Sequence, residues 1–168
     1  MSELNVAGLI DKTRAKDNEM EGKQLSFWIA DQLFGIPISY VIQIVGMQEI
    51  TVMPEYPAYI KGVINLRGNI IPVMDARLRL GKPEATYSDR TCIIVVGIYE
   101  QSGDFGLIVD GVEEVSNIPS GAISAPPKAA DDNTALYLTG VAKLPCFNGQ
   151  EKIVLLLNPS KIFTNAAG

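Results

Sequence analysis

Apolar and polar residues alternate with a period of two along much of this chain. In Leu25-Ser26-Phe27-Trp28-Ile29-Ala30 the residues Leu25, Phe27 and Ile29 share one face, which predicts a strand. Asp31-Gln32 makes a tight connection, and Leu33-Phe34-Gly35-Ile36-Pro37-Ile38 returns as a second strand. Pro37 has no N–H to give a ladder, so it marks an edge or a strand end. Ser39 is placed to cap a short helix through Ile44, with Val41 and Ile44 three apart on one side. Strands are predicted at Ile50–Met53, Gly62–Leu66, Ile70–Met74, Thr91–Val96, Gly106–Val109, Val112–Val115, Gly140–Leu144 and Lys152–Leu157. Arg67-Gly68-Asn69 is a turn joining two of them into a hairpin. Many short strands, Gly- and Pro-rich turns and few helices predict an all-β fold.

The pattern occurs twice. The eleven residues Phe34–Ile44 align with Phe105–Val115. Tyr59-Ile60-Lys61-Gly62-Val63-Ile64-Asn65-Leu66 aligns with Tyr137-Leu138-Thr139-Gly140-Val141-Ala142-Lys143-Leu144, and Ile70–Asp75 with Ile153–Asn158. Three blocks in the same order indicate two homologous β units, one mostly within 24–82 and one mostly within 90–163, joined through the polar segment 81–89. Units this small are expected to share a core or exchange strands. The mixed-charge residues 1–23 are expected to form a disordered leader and 164–168 a tail, with order beginning at Gln24.

The duplication isolates one residue. Where the first half has Arg67, the second has Pro145, so packing common to both halves does not explain the arginine. Two readings stand: a solvated hairpin charge, or a planar fork presented to a partner's carboxylate.

Composition removes most other chemistry. The 168 residues include 14 Lys plus Arg, 19 Asp plus Glu and no His, for a net charge of −5. A chain without histidine has no Ser-His or Cys-His pair, no imidazole metal ligand and no histidine phosphoacceptor. The acidic balance disfavours nucleic acid. No apolar run is long enough to span a bilayer or to serve as a signal peptide, which predicts a cytoplasmic protein with no membrane insertion. Cys92 opens an apolar run and reads as a buried small hydrophobe; Cys146 lies in a turn, and a cytosolic setting argues against a disulfide between them. Asp104-Phe105-Gly106 has the letters of a kinase magnesium motif but none of its companions, and Phe34-Gly35 fills the same place in the first half. No nucleophile, base and oxyanion donor can be assembled; no enzyme activity, cofactor or metal is expected.

The segments Phe34-Gly35-Ile36-Pro37-Ile38, Ile60-Lys61-Gly62-Val63-Ile64-Asn65-Leu66-Arg67-Gly68, Ile71-Pro72-Val73-Met74-Asp75 and Gly106-Leu107-Ile108-Val109-Asp110-Gly111-Val112 together resemble the CheW family of chemotaxis adaptors, from about Gln24 to Phe163. That resemblance implies two five-stranded barrels on a shared apolar core. It also implies a non-enzymatic scaffold that couples the cytoplasmic hairpin tips of chemoreceptors to the regulatory domain of the histidine kinase CheA. Carried over by position, Val41, Gln43, Ile44, Lys61, Gly62, Asn65 and Arg67 would line or flank a receptor groove between the barrels, and Gly106, Val109 and Gly140 would lie near interfaces. The apolar members are equally read as barrel core. Gln43 departs from the family, which often has Glu there, and weakens any charge-based contact at that point. A stand-alone paralogue serving another receptor or kinase system is the alternative.

Overall fold

A computed structural model of the chain describes residues 22–98, 103–126, 133–146 and 148–163. The leader expected over 1–23 falls outside the described residues up to position 21, as does the tail 164–168. Order reaches further toward the N-terminus than Gln24: β1 spans Lys23–Ile29, and the Gly22 carbonyl accepts the Ile118 N–H at 2.8 Å.

The chain then forms β2 (Gln32–Pro37), β3 (Val41–Gly46), β4 (Ile60–Leu66), β5 (Asn69–Asp75), the one-turn helix α1 (Ala76–Arg79) and β6 (Cys92–Gly97). The second half continues with β7 (Asp104–Val109), β8 (Gly111–Asn117), the two-residue β9 (Ile123–Ser124), β10 (Leu138–Pro145), β11 (Glu151–Leu157) and the one-turn helix α2 (Pro159–Ile162). The fold is all-β with a few short helices. Pro37 is the last residue of β2, where its missing N–H costs the ladder nothing.

Two expected elements differ. Instead of a helix through Ile44 there is a 3-10 turn at Ile38–Tyr40 followed directly by β3. The register shifts between Val41 and Gln43, so a bulge spaces the buried Val41 and Ile44 three apart and imitates a helical period. The strand expected over Ile50–Met53 reduces to one bridge, Thr51 with Val63, made by reciprocal 2.9 Å backbone hydrogen bonds.

The strands form two sheets. Sheet 1 has the order β8-β1-β2-β11-β10-β9, and sheet 2 the order β3-β6-β7-β5-β4. The duplication explains this arrangement. Each sheet combines the opening hairpin of one half with the later strands of the other, β1-β2 with β8, β9, β10 and β11 in sheet 1 and β6-β7 with β3, β4 and β5 in sheet 2, so the halves exchange strands. They meet at two antiparallel pairings, β1 with β8 and β3 with β6, and at two parallel ones, where Leu156 lies beside Gly35 and Val73 beside Gly106. These aligned glycines leave room for the facing strand: a Cβ on Gly35 would lie 3.1 Å from Leu156 Cδ2, and one on Gly106 would lie 2.8 Å from Ile93 Cγ2.

Three apolar clusters follow from the alternation. Val45, Ile64, Ile71, Val73, Ile93, Val95 and Ile108 pack together on sheet 2. Leu33, Ile118, Ala142, Val154 and Leu156 do the same on sheet 1. The largest cluster draws Phe27, Phe34, Val41, Ile44, Ile94, Phe105, Leu107 and Phe163, with others, from both halves and both sheets. β6 is buried along Cys92–Val96 because successive side chains enter different clusters. Cys92 is buried and Cys146 exposed, and neither is in a disulfide.

The aligned Asp75 and Asn158 play the same part in each half. The Asp75 side chain caps α1 by accepting the Leu78 N–H at 3.3 Å, and Asn158 caps α2 by accepting the Ser160 N–H at 3.1 Å. Asp75 is 2% exposed, and its second oxygen accepts the Tyr87 hydroxyl at 2.8 Å. Burial first, and then the hydrogen bond to Asp75 and its charge, push the Tyr87 pKa above its ordinary value. The neutral phenol is thus favoured by folding, and its contribution is fully present below the unfolded pKa of about 10. Stability should fall as pH rises above that value. Urea titrations across the alkaline range should show a shallower decline for Tyr87→Phe; equal slopes would remove Tyr87 as the cause.

Candidate functional site

The candidate residues separate into two groups. Val41 (0% exposed), Ile44 (5%) and Val109 (2%) lie in the large shared cluster. Gly62, Gly106 and Gly140 are buried as well, and each has a packing reason to be glycine. A Cβ on Gly62 would overlap the Thr51 carbonyl oxygen and sit 2.7 Å from its carbon, and one on Gly140 would lie 3.0 Å from the Ser124 carbonyl oxygen. These aligned glycines admit the segment that follows β3 or β8 beside β4 or β10. Their recurrence is therefore a requirement of the fold. None of these six side chains offers surface to a partner.

Gln43, Lys61, Asn65 and Arg67 remain accessible. Gln43 is half-buried on β3, opposite Val95. Lys61 sits at the irregularity between Ile60 and Gly62 and pairs with Glu84 at 2.5 Å. Asn65 shapes the β4–β5 hairpin, its Oδ1 accepting the Gly68 N–H at 2.8 Å. Arg67 and Gly68 form the two-residue tip, with φ of 56° and 89°. A hairpin of this kind requires positive φ at its central residues, which is why Asn-Gly is the usual choice. Arginine there costs about 1 kcal/mol in backbone strain. Its side chain is exposed and has no hydrogen bond or ion pair among the described residues. Backbone strain of this kind clusters at functional sites, which makes Arg67 a candidate contact residue.

Beside this tip lies exposed apolar surface. Asn65 pairs with Ile70 and Val63 with Pro72, so these four share one face of the hairpin. Ile70 is 63% exposed, and Val52, next to the bridge at Thr51, is 73% exposed. Such surface bordered by Lys61 and Arg67 suits a partner with apolar anchors and a carboxylate. The corresponding hairpin of sheet 1 ends in Pro145 and a longer connection, with no counterpart to Arg67.

A separate cleft of about 550 Å³ lies between Trp28 and Arg90, with Asp110 and Glu113 on its lining. Asp89 lines it too, and two of these three carboxylates are already engaged. Asp110 accepts the Ala30 N–H at 2.5 Å and pairs with Arg77 at 3.0 Å, and Glu113 pairs with Lys152 at 2.7 Å. Burial works against the Lys152 charge, but Glu113 and Glu114 outweigh it and raise the Lys152 pKa. Both pairs tie strands or turns together across the fold. Among the described residues, no cluster of His, Cys, Asp or Glu could hold a metal ion, and no helix is long and apolar enough to cross a membrane.

A family model described as a CheW-like domain matches residues 23–167. The chain is similar to the chemotaxis protein CheW of Klebsiella aerogenes, with 29% identity over 160 residues covering 95% of this chain and 92% of that one. It is 37% identical over 121 residues to CheW of Rhizobium meliloti, covering 71% and 77%. Protein FrzA of Myxococcus xanthus is 30% identical over 158 residues, covering 93% and 94%. Among solved structures, scaffolding protein TtCheW of Thermoanaerobacter tengcongensis superposes with a TM-score of 0.73 at 35% identity, over 84% of this chain and 87% of that one. The chain belongs to the CheW family.

Proposed function

We propose that this protein is a non-enzymatic adaptor that joins the cytoplasmic hairpin tips of chemoreceptors to the regulatory domain of the histidine kinase CheA. It works in the cytoplasm, at membrane-associated receptor arrays. The observation that carries this reading is Arg67: strained, exposed and unpaired among the described residues, at the tip of a hairpin that displays Ile70, with Val52 exposed next to the Thr51 bridge. A receptor tip is a helical hairpin, and helices are recognised by apolar anchors at helical spacing with a charge that sets orientation. Ile70, Val63 and Val52 supply the first and Arg67 the second. Gln43 lies on β3, at the opposite edge of sheet 2 from β4, and is not part of this surface. Lys61 is held by Glu84 and contributes to the rim. The kinase's regulatory domain docks elsewhere on the sheets, so both partners bind together.

The test is binding of purified receptor hairpin fragments and of the isolated regulatory domain, each titrated separately and then in combination. The proposal requires both pairwise complexes and a ternary one. Mutual exclusion of the two partners would contradict the coupling role even if each bound alone.

A further inference from the structure

The last turn of α1 carries Arg77 and Arg79, and both reach across to the second half, Arg77 to Asp110 and Arg79 to a junction of two aromatic rings. The Arg79 guanidinium carbon lies 4.5 Å from the ring centre of Tyr59 and 4.9 Å from that of Tyr137. Tyr59 precedes β4 in sheet 2, and Tyr137 precedes β10 in sheet 1; the duplication makes them equivalent. Each tyrosine also anchors the cap of its own half. The Tyr59 carbonyl accepts the Asp75 N–H at 2.8 Å, and the Tyr137 carbonyl accepts the Asn158 N–H at 2.7 Å.

Arg79 completes the junction by crossing it. Its Nε donates to the Ile162 carbonyl at 2.9 Å and its Nη2 to the Lys161 carbonyl at 3.5 Å, at the end of α2. Carbonyls at a helix C-terminus lack intrahelical donors and attract a cation. Ile162 is the residue equivalent to Arg79, fourth of its helical turn after the cap, and it is fully buried in the shared cluster. At the meeting of two equivalent helices, one member has gone into the core and the other spans the surface.

We propose that Arg79 is a positioning residue that holds the two sheets at one relative orientation. Apolar packing between the sheets is non-directional and tolerates sliding. A planar cation between two rings, with its edge bonded to two carbonyls, fixes distance and angle together. Any partner that contacts both sheets then meets a prearranged surface, at a site remote from Arg79 itself. This role does not depend on which partner that is.

The test is a distance measurement across the junction by pulsed electron spin resonance. One spin label is placed on the native exposed Cys146 at the β10–β11 connection and the other on Asn69→Cys at the β4–β5 tip, with buried Cys92 left unlabelled. Arg79→Met should shift or broaden the distance distribution, and Arg79→Lys should restore part of the sharpness. A second pair within sheet 1, Cys146 with Thr139→Cys, should stay unchanged in both variants. If Arg79→Met fails to fold, Tyr137→Leu, which removes one face of the clamp, is measured in its place. An unchanged cross-sheet distribution in the folded variants would overturn the proposal, as would equal broadening of the pair within sheet 1.

Discussion

Gly62→Ala should destabilise this protein by about 3–5 kcal/mol, a loss reserved for substitutions that break a specific structural requirement. The added methyl would overlap the Thr51 carbonyl oxygen and lie 2.9 Å from Ile50 Cγ2, at a φ of +146° that disfavours any side chain. Relief requires Thr51 to move, which breaks both hydrogen bonds of its bridge with Val63. For a chain of this length the expected fall in melting temperature is on the order of 10 °C. Gly140→Ala should cost less, because its Cβ comes no nearer to backbone than 3.0 Å, at the Ser124 carbonyl oxygen, and its φ is not positive. Gly68→Ala meets no atom within 4 Å and should lose only about 1 kcal/mol, from its φ of +89°. Denaturant unfolding of the three variants checks the order. A Gly62→Ala protein as stable as Gly68→Ala would mean that β4 does not take this close neighbour.

Arg67→Ala should leave stability within about 0.5 kcal/mol of the parent, because the side chain makes no contact among the described residues that the fold uses. Binding to receptor hairpin fragments should fall more than tenfold, equivalent to about 2 kcal/mol at an interface arginine. Arg67→Asn is the sharper variant. Asparagine tolerates positive φ better than arginine, so the hairpin tip should be as stable or slightly more stable while the charge is lost. Calorimetric titration beside thermal unfolding separates the effects. Normal affinity in folded Arg67→Asn would reduce Arg67 to a solvated hairpin charge.

What the sequence made legible followed from local periodicity and from the repeat. β4 alternates up to an Arg-Gly turn that joins it to β5, so the hairpin is readable to within two residues at each strand end. The paired caps Asp75 and Asn158 stood in alignment before their role was visible. β3 was misread because a bulge sets buried residues three apart, a spacing shared with a helix. Among the candidate residues, resemblance carried over positions without separating those that hold the fold from those that face outward. Val41, Ile44 and the three glycines are matched because any chain with this topology needs them. Arg67 escaped that confusion because the second half lacks it. Arg79 was missed for the opposite reason. Its partners, Tyr59, Tyr137 and the α2 carbonyls, come together only when the halves associate, and no local spacing announces that.

The most direct test of the central claim is kinase output in a mixture of receptor-bearing vesicles and full-length CheA, titrated with this protein. An adaptor acts by assembly, so phosphorylation should rise with added protein and saturate at a fixed stoichiometry, and receptor ligand should then control it. Folded Arg67→Asn should need a higher concentration to reach the same level. Kinase output unaffected by the protein at every ratio, or phosphoryl transfer or hydrolysis by the isolated chain, would contradict the account.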